Sequence, residues 1–197
     1  YAGAVVLPPK PGIYVKRPVA VLDFGSLYPS IIINNNMSHE TLVKNPIYKG
    51  TKGAKLLRKK GYEFKDIHIY DWIQQDNGVY KRMLVRTHRF IQPKKEYDGS
   101  VKEENRGIIP RILLKLLGAR KSTRAKIKYK TLIMKNGDKF SGLYDKKKGV
   151  LVDEHGNKHP VDENDIVSMA DTYSDFEKEI FNGLQLAYKV SANSVYG

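Results

Sequence analysis

The 197-residue sequence has no cysteine, which excludes disulfides and thiolate metal sites. It has no apolar run near the roughly 20 residues that a membrane span needs, and no secretory leader pattern. Acids are scarce: 21 Asp and Glu stand against 35 Lys and Arg, for a net charge of +14. That imbalance favours a polyanionic partner such as nucleic acid or a nucleoside triphosphate. Tryptophan occurs once, as Trp72, and is read as a core residue. There is no internal repeat or low-complexity tract, and no initiating Met. The chain opens Tyr1-Ala-Gly-Ala and stops at Gly197, so it reads as a piece of a longer one. What it does have is 41% hydrophobic residues, enough for a core in one domain or parts of two.

Pro8, Pro9, Pro11, Gly12 and Pro18 mark residues 1–18 as an extended lead-in. The apolar run Val19-Ala-Val-Leu22 predicts a buried strand over 19–23, and Pro29 suits the start of a helix from about Leu27 to Asn35. Residues 50–106, rich in Lys and Gly, are expected to be irregular with a few short strands. Pro110 and the apolar positions Ile112, Leu113, Leu116 and Leu117 predict a helix from 110 to 130, which carries eight basic residues and no acid. Short strands are expected at 131–134, 139–143, 149–152 and 165–168, with turns at Asn136-Gly-Asp and His155-Gly-Asn. The cluster Asp162-Glu-Asn-Asp165 reads as a solvated turn. A last helix follows over about 173–192, so two helices bracket a small all-β insert.

Three constellations carry the chemistry. Asp23 falls where a strand is expected to end, ordinarily the place of a capping or turn residue. Beside it, Ser26 and Leu27 offer backbone amides at a strand-to-helix turn, a cradle for phosphate oxygens, and Tyr28 can pack under a sugar. Arg120, Arg124 and Lys128 are spaced i, i+4, i+8 on one helix face. No acid interrupts that run, and unpaired like charges repel unless an anion is bound. Lys189, Asn193 and Tyr196 recur at helical spacing near the C-terminal end. His155 and His159 flank a turn without an obvious third ligand and are not read as a metal pair.

Asp23-Phe-Gly-Ser-Leu-Tyr-Pro-Ser30 and Lys189-Val-Ser-Ala-Asn193-Ser-Val-Tyr196-Gly197 resemble the first and second polymerase motifs of the family B DNA polymerases. The resemblance implies an α+β fold: part of a palm, with a strand and helix carrying Asp23, and a fingers hairpin interrupted by the insert. Its boundaries would be 1–109 for the partial palm and lead-in, 110–130 and 173–197 for the fingers helices, and 131–172 for the insert. It implies that Asp23, with the Phe24 carbonyl, ligates two Mg²⁺ ions, and that Ser26 and Leu27 hold the triphosphate by their amides. Tyr28 becomes the gate against ribonucleotides. Ile109 to Arg124 is similar to the fingers helix in which an Arg and a Lys grip the triphosphate. Arg120 matches the first, and Arg124 replaces the second with the same charge but another geometry.

By the same resemblance Lys189 and Asn193 meet the nucleotide, while Tyr196 and Gly197 meet the minor groove of the nascent pair. Tyr1 and Gly3 resemble an element that touches template strand. The implied partners are primer-template DNA, deoxynucleoside triphosphates and a sliding clamp, with an intracellular place of action and no membrane. The second acidic motif of the family is expected beyond Gly197, so the 197 residues alone are expected to be inactive. The insert's end, Val167-Ser-Met-Ala-Asp-Thr-Tyr173, is similar to that of large algal DNA viruses. A non-catalytic basic nucleic-acid-binding module is the alternative.

Overall fold

A computed structural model describes residues 8–13, 15 and 20–195. The expected strand before Asp23 is absent: residues 20–24 form no regular element, and Val21 and Leu22 are 88% and 93% exposed. Val19 lies outside the described residues. A strand needs a neighbour to complete its ladder, and no described strand pairs with this one. The helix that follows is as expected: α1 spans Leu27–Asn34, with Pro29 in its first turn.

Residues 50–106 are more regular than the sequence reading allowed. Gly50–Lys59 is a helix, α2, despite two glycines that lower its intrinsic propensity. Packing explains it. Ala54 and Leu57 are buried, and a Cβ on Gly53 would sit 2.1 Å from the Tyr48 carbonyl carbon, so only glycine lets the helix approach there. The alternating run around Ile69 belongs to an 11-residue strand, β1 (Phe64–Gln74), paired antiparallel with β2 (Tyr80–Ile91). Gly78, at φ 77°, turns the chain between them. Asn77-Gly78 was the overlooked signal.

The base of this hairpin is tied to α2. Arg89 makes a bidentate ion pair with Asp66, both contacts at 2.7 Å, and also donates to the carbonyls of Tyr48 and Gly50. The Arg89 guanidinium beside Asp66 holds that carboxyl below its ordinary range. The distal half projects past α2. Trp72, expected in the core, therefore stands 64% exposed on β1.

Two long helices frame the rest. The first, α3, spans Ile108–Lys126 with Pro110 buried in its first turn, and α4 spans Asp175–Ser194 behind a Ser174/Glu177 capping box. They run antiparallel: Tyr129 stacks on Tyr173 at one end, Arg120 meets Gln185 midway, and Ile109 and Val195 line one cavity at the other. Between them the chain forms an antiparallel sheet. Its strands are β3 (Lys130–Met134), β4 (Lys139–Asp145), β5 (Val150–Val152), β6 (Lys158–Pro160) and β7 (Ile166–Asp171), in the order β6-β5-β4-β3-β7. Only β6 was not foreseen, being three residues long and ending in proline. Leu132, Leu151 and Val161 form the core of the insert. Residues 162–165 are an exposed turn, as expected.

The loop after α1 holds these parts together. Asn36 is 2% exposed and adopts φ 49°, a left-handed conformation Asn tolerates well. Its side chain accepts from the Gly107 amide at 2.8 Å and donates to the Ile91 carbonyl at 2.9 Å. Glu40 and Ser38 accept from the next two amides, those of Ile108 and Ile109. Thus the amides at the start of α3, which have no partner inside the helix, are satisfied from another element. Gly107 must be glycine for this approach, since a Cβ would lie 2.8 Å from the Ser38 Cβ. Asn36→Ala strands a buried donor and a carbonyl, so it should lower stability by about 3 kcal/mol in urea unfolding. A loss below about 0.5 kcal/mol, the range of ordinary surface substitutions, would show that Asn36 does not anchor α3.

Candidate functional site

Antiparallel packing of α1 on α3 brings the first two constellations together. Gly25, Ser26 and Ser30 form one wall of a cavity of about 440 Å³, and Arg120, Lys121, Arg124 and Lys128 form the facing wall. That volume falls within the range of small-molecule sites. Among the described residues no carboxylate lines it. Lys121 was not singled out from sequence. Its place next to Arg120 concealed that the cavity wraps around the edge of the helix.

Ser26 is the N-cap of α1 but caps nothing with its side chain; it sits at φ 54°, ψ 54°. The helical ladder begins with the Ser30 amide on the Ser26 carbonyl at 2.9 Å, so the amides before Ser30 lie outside it. No acid occupies the first turn. The positive end of α1 thus meets a wall of cations, and both favour negative charge between them.

Arg120 is oriented from α4. Its Nε donates to the Gln185 Oε1 at 3.2 Å, and Gln185, itself buried, donates to Asn182 at 3.1 Å. The role of Gln185 was missed, although its spacing of four from Lys189 puts both on one helical face. Lys189 and Asn193 are exposed on α4 and do not line the cavity. Asp23, Phe24 and Tyr28 are also exposed, ahead of and within the first turn of α1. Tyr1, Gly3, Tyr196 and Gly197 lie outside the described residues.

Divalent hard cations ask for about six oxygen ligands. Among the described residues no three His, Asp or Glu side chains converge, at Asp23 or elsewhere. His159 is engaged otherwise, with Asp153 at 3.1 Å and its ring 4.8 Å from that of Phe140. No described helix is long and apolar enough to cross a membrane.

With cations on one wall, a helix N-terminus on the other and no acid among the described residues between them, the cavity favours negative charge. Comparison with known proteins narrows this further. Residues 1–148 match DNA polymerase family B, and the chain belongs to that family. Over its whole length it is 39% identical to a DNA polymerase of Pyramimonas orientalis virus, and 30% identical to the DNA polymerase delta catalytic subunit of Caenorhabditis elegans. Over 75% of its length it is 33% identical to a DNA polymerase of Phaeocystis pouchetii virus. The chain spans 15%, 11% and 14% of these three relatives respectively. No solved structure matches it.

The left-handed conformation of Ser26 costs a side-chain-bearing residue about 1 kcal/mol that glycine avoids. Ser26→Gly should therefore raise the unfolding midpoint in urea. A lower midpoint would mean that the Ser26 side chain makes a contact stronger than this strain.

Proposed function

We propose that these residues are the nucleotide-binding part of a DNA-directed DNA polymerase, which adds deoxynucleotides to a primer 3′-OH. The single observation that carries this reading is the shared cavity, with Ser26 on one wall and Arg120 and Arg124 on the other. Residues 1–109 would belong to a palm, and α3 and α4 would be fingers helices.

Each group then has a task. The amides of Ser26 and Leu27 and the guanidinium groups of Arg120 and Arg124 hold the triphosphate and offset the charge that builds on pyrophosphate as it leaves. Phosphoryl transfer asks mainly for such positioning and neutralisation. Gln185 keeps Arg120 aimed at the cavity. Lys189 and Asn193 approach the same nucleotide from α4, and Tyr28 lies under the sugar, where a 2′-OH would meet its ring. Tyr196, Gly197, Tyr1 and Gly3 would meet DNA. Magnesium, held in part by Asp23 and the Phe24 carbonyl, would activate the nucleophile and steady the leaving oxygen.

In the full-length polymerase containing this chain, Asp23→Ala should abolish primer extension while changing DNA affinity by no more than about twofold, since the lost contact acts on the reacting phosphate. Extension retained by that variant would remove Asp23 from the mechanism and favour a basic module that only binds nucleic acid. The 197 residues by themselves should not extend a primed template, because Asp23 alone cannot hold a metal pair and no three His, Asp or Glu side chains converge among the described residues. Extension by the isolated chain would refute that reading.

A further inference from the structure

The β1–β2 hairpin takes no part in the cavity described above, yet one of its faces is unusual. The register pairs Tyr70 with Leu84, Trp72 with Arg82 and Gln74 with Tyr80, which puts all six on one side of the ribbon. Trp72 and Tyr80 are 64% and 60% exposed, and the Arg82 guanidinium lies 4.8 Å from the centre of the Tyr70 ring. No carboxylate stands on this part of the face. Asp71 points to the other side, together with the aliphatic residues Ile69, Ile73 and Met83. Rings and cation thus share one side with a single aliphatic, Leu84, while the acid and the other aliphatics take the opposite side.

The same face continues towards the base of the hairpin into a cavity of about 620 Å³, lined by Lys44, Lys49, Arg58 and His68. Its one acid, Asp66, is engaged by Arg89. His68 adjoins the Tyr70 ring edge-on, with the centres 6.4 Å apart, so the basic cavity and the aromatic stretch are contiguous.

We propose that this face binds single-stranded nucleic acid, with bases stacked on Tyr70, Trp72 and Tyr80 and phosphates held by Arg82 and the basic cavity. A groove of cations leading to a row of exposed rings is the arrangement that such strands require. Base faces are open to stacking in single strands and covered in duplex. Tyr70 and Trp72, two residues apart on a strand, are separated by about 6.8 Å. That is about twice the 3.4 Å step of stacked bases, which leaves room for a base once Arg82 moves off the Tyr70 ring to meet a phosphate. A protein partner with an acidic surface would meet Arg82 equally well, but gives no reason for three rings gathered on one face with a single aliphatic, Leu84, among them.

Trp72 is the only tryptophan, so its emission reports directly on this face. Titrating the full chain with oligothymidylate should quench that emission, and a duplex of the same length should leave it nearly unchanged. Tyr70→Ala and Tyr80→Ala should each weaken binding about tenfold with the salt dependence unchanged. Lys49→Gln and Arg58→Gln should each lower the slope of log affinity against log salt by about 0.7. Thermal unfolding of each variant checks that it folds, and the quench in the unaltered chain needs no variant. The readout involves no catalysis, so it stands apart from the phosphoryl-transfer reading. Emission unmoved by oligothymidylate, or quenched equally by duplex, would overturn the proposal. So would a protein that covers Trp72 while the oligonucleotide does not.

Discussion

The arrangement depends on how the first turn of α3 is satisfied. A helix cannot bury its N-terminal amides without acceptors, and here Asn36, Ser38 and Glu40 supply them from the loop that ends α1. Because Asn36 also binds the Ile91 carbonyl, one side chain joins α1, α3 and the end of β2. Its burial makes the geometry strict, since an unmet hydrogen bond there has no water to replace it. The position of Ser26 against Arg120 and Arg124 follows from that joint, since it ties the end of α1 to the start of α3 and the two helices run back antiparallel from there.

Electrostatics acts in the opposite direction. From Ile108 to Lys126 the chain carries no acid, so the cationic face of α3 repels itself. Relief comes at Lys115, which pairs with Glu103, and at the C-terminal end, where Lys126 pairs with Glu154. The stretch between, around Arg120, Lys121 and Arg124, meets the neutral Gln185 and the uncharged residues Gly25, Ser26 and Ser30, with no acid among the described residues that line its cavity. A bound anion would stabilise that stretch, which is why the cavity reads as a place for phosphate. The insert is built the other way. At its neck Asp171 is paired with both Lys130 and Lys178, and these hold its carboxyl down to about 2.

Much of the fold was legible. The helices α1, α3 and α4 and most strands of the insert lie close to where periodicity and turn residues put them, because these signals are local. The misses share one cause. The segment before Asp23 reads as a buried strand by composition, but no described strand pairs with it. Helix α2 was hidden by its glycines, one of which packing requires. Trp72 looked like core because large rings usually are, while its strand extends beyond any cover. Of the site, Arg120 and Arg124 were readable from spacing, and Ser26 from its place at the start of the expected helix, although the strand expected before it is not there. The part played by Gln185 was not, since a neutral side chain on a separate helix leaves no charge pattern.

By itself the sequence determined which residues are cationic, which faces of the helices they share, and which family the motifs resemble, because each is written in short-range spacing. The tertiary structure alone decided that Ser26 and Arg120, remote along the chain, line one cavity, and that the rings of β1 and β2 share one side. Such proximity depends on which buried polar groups find partners across elements, and on strand register, and neither is set by neighbours in the chain.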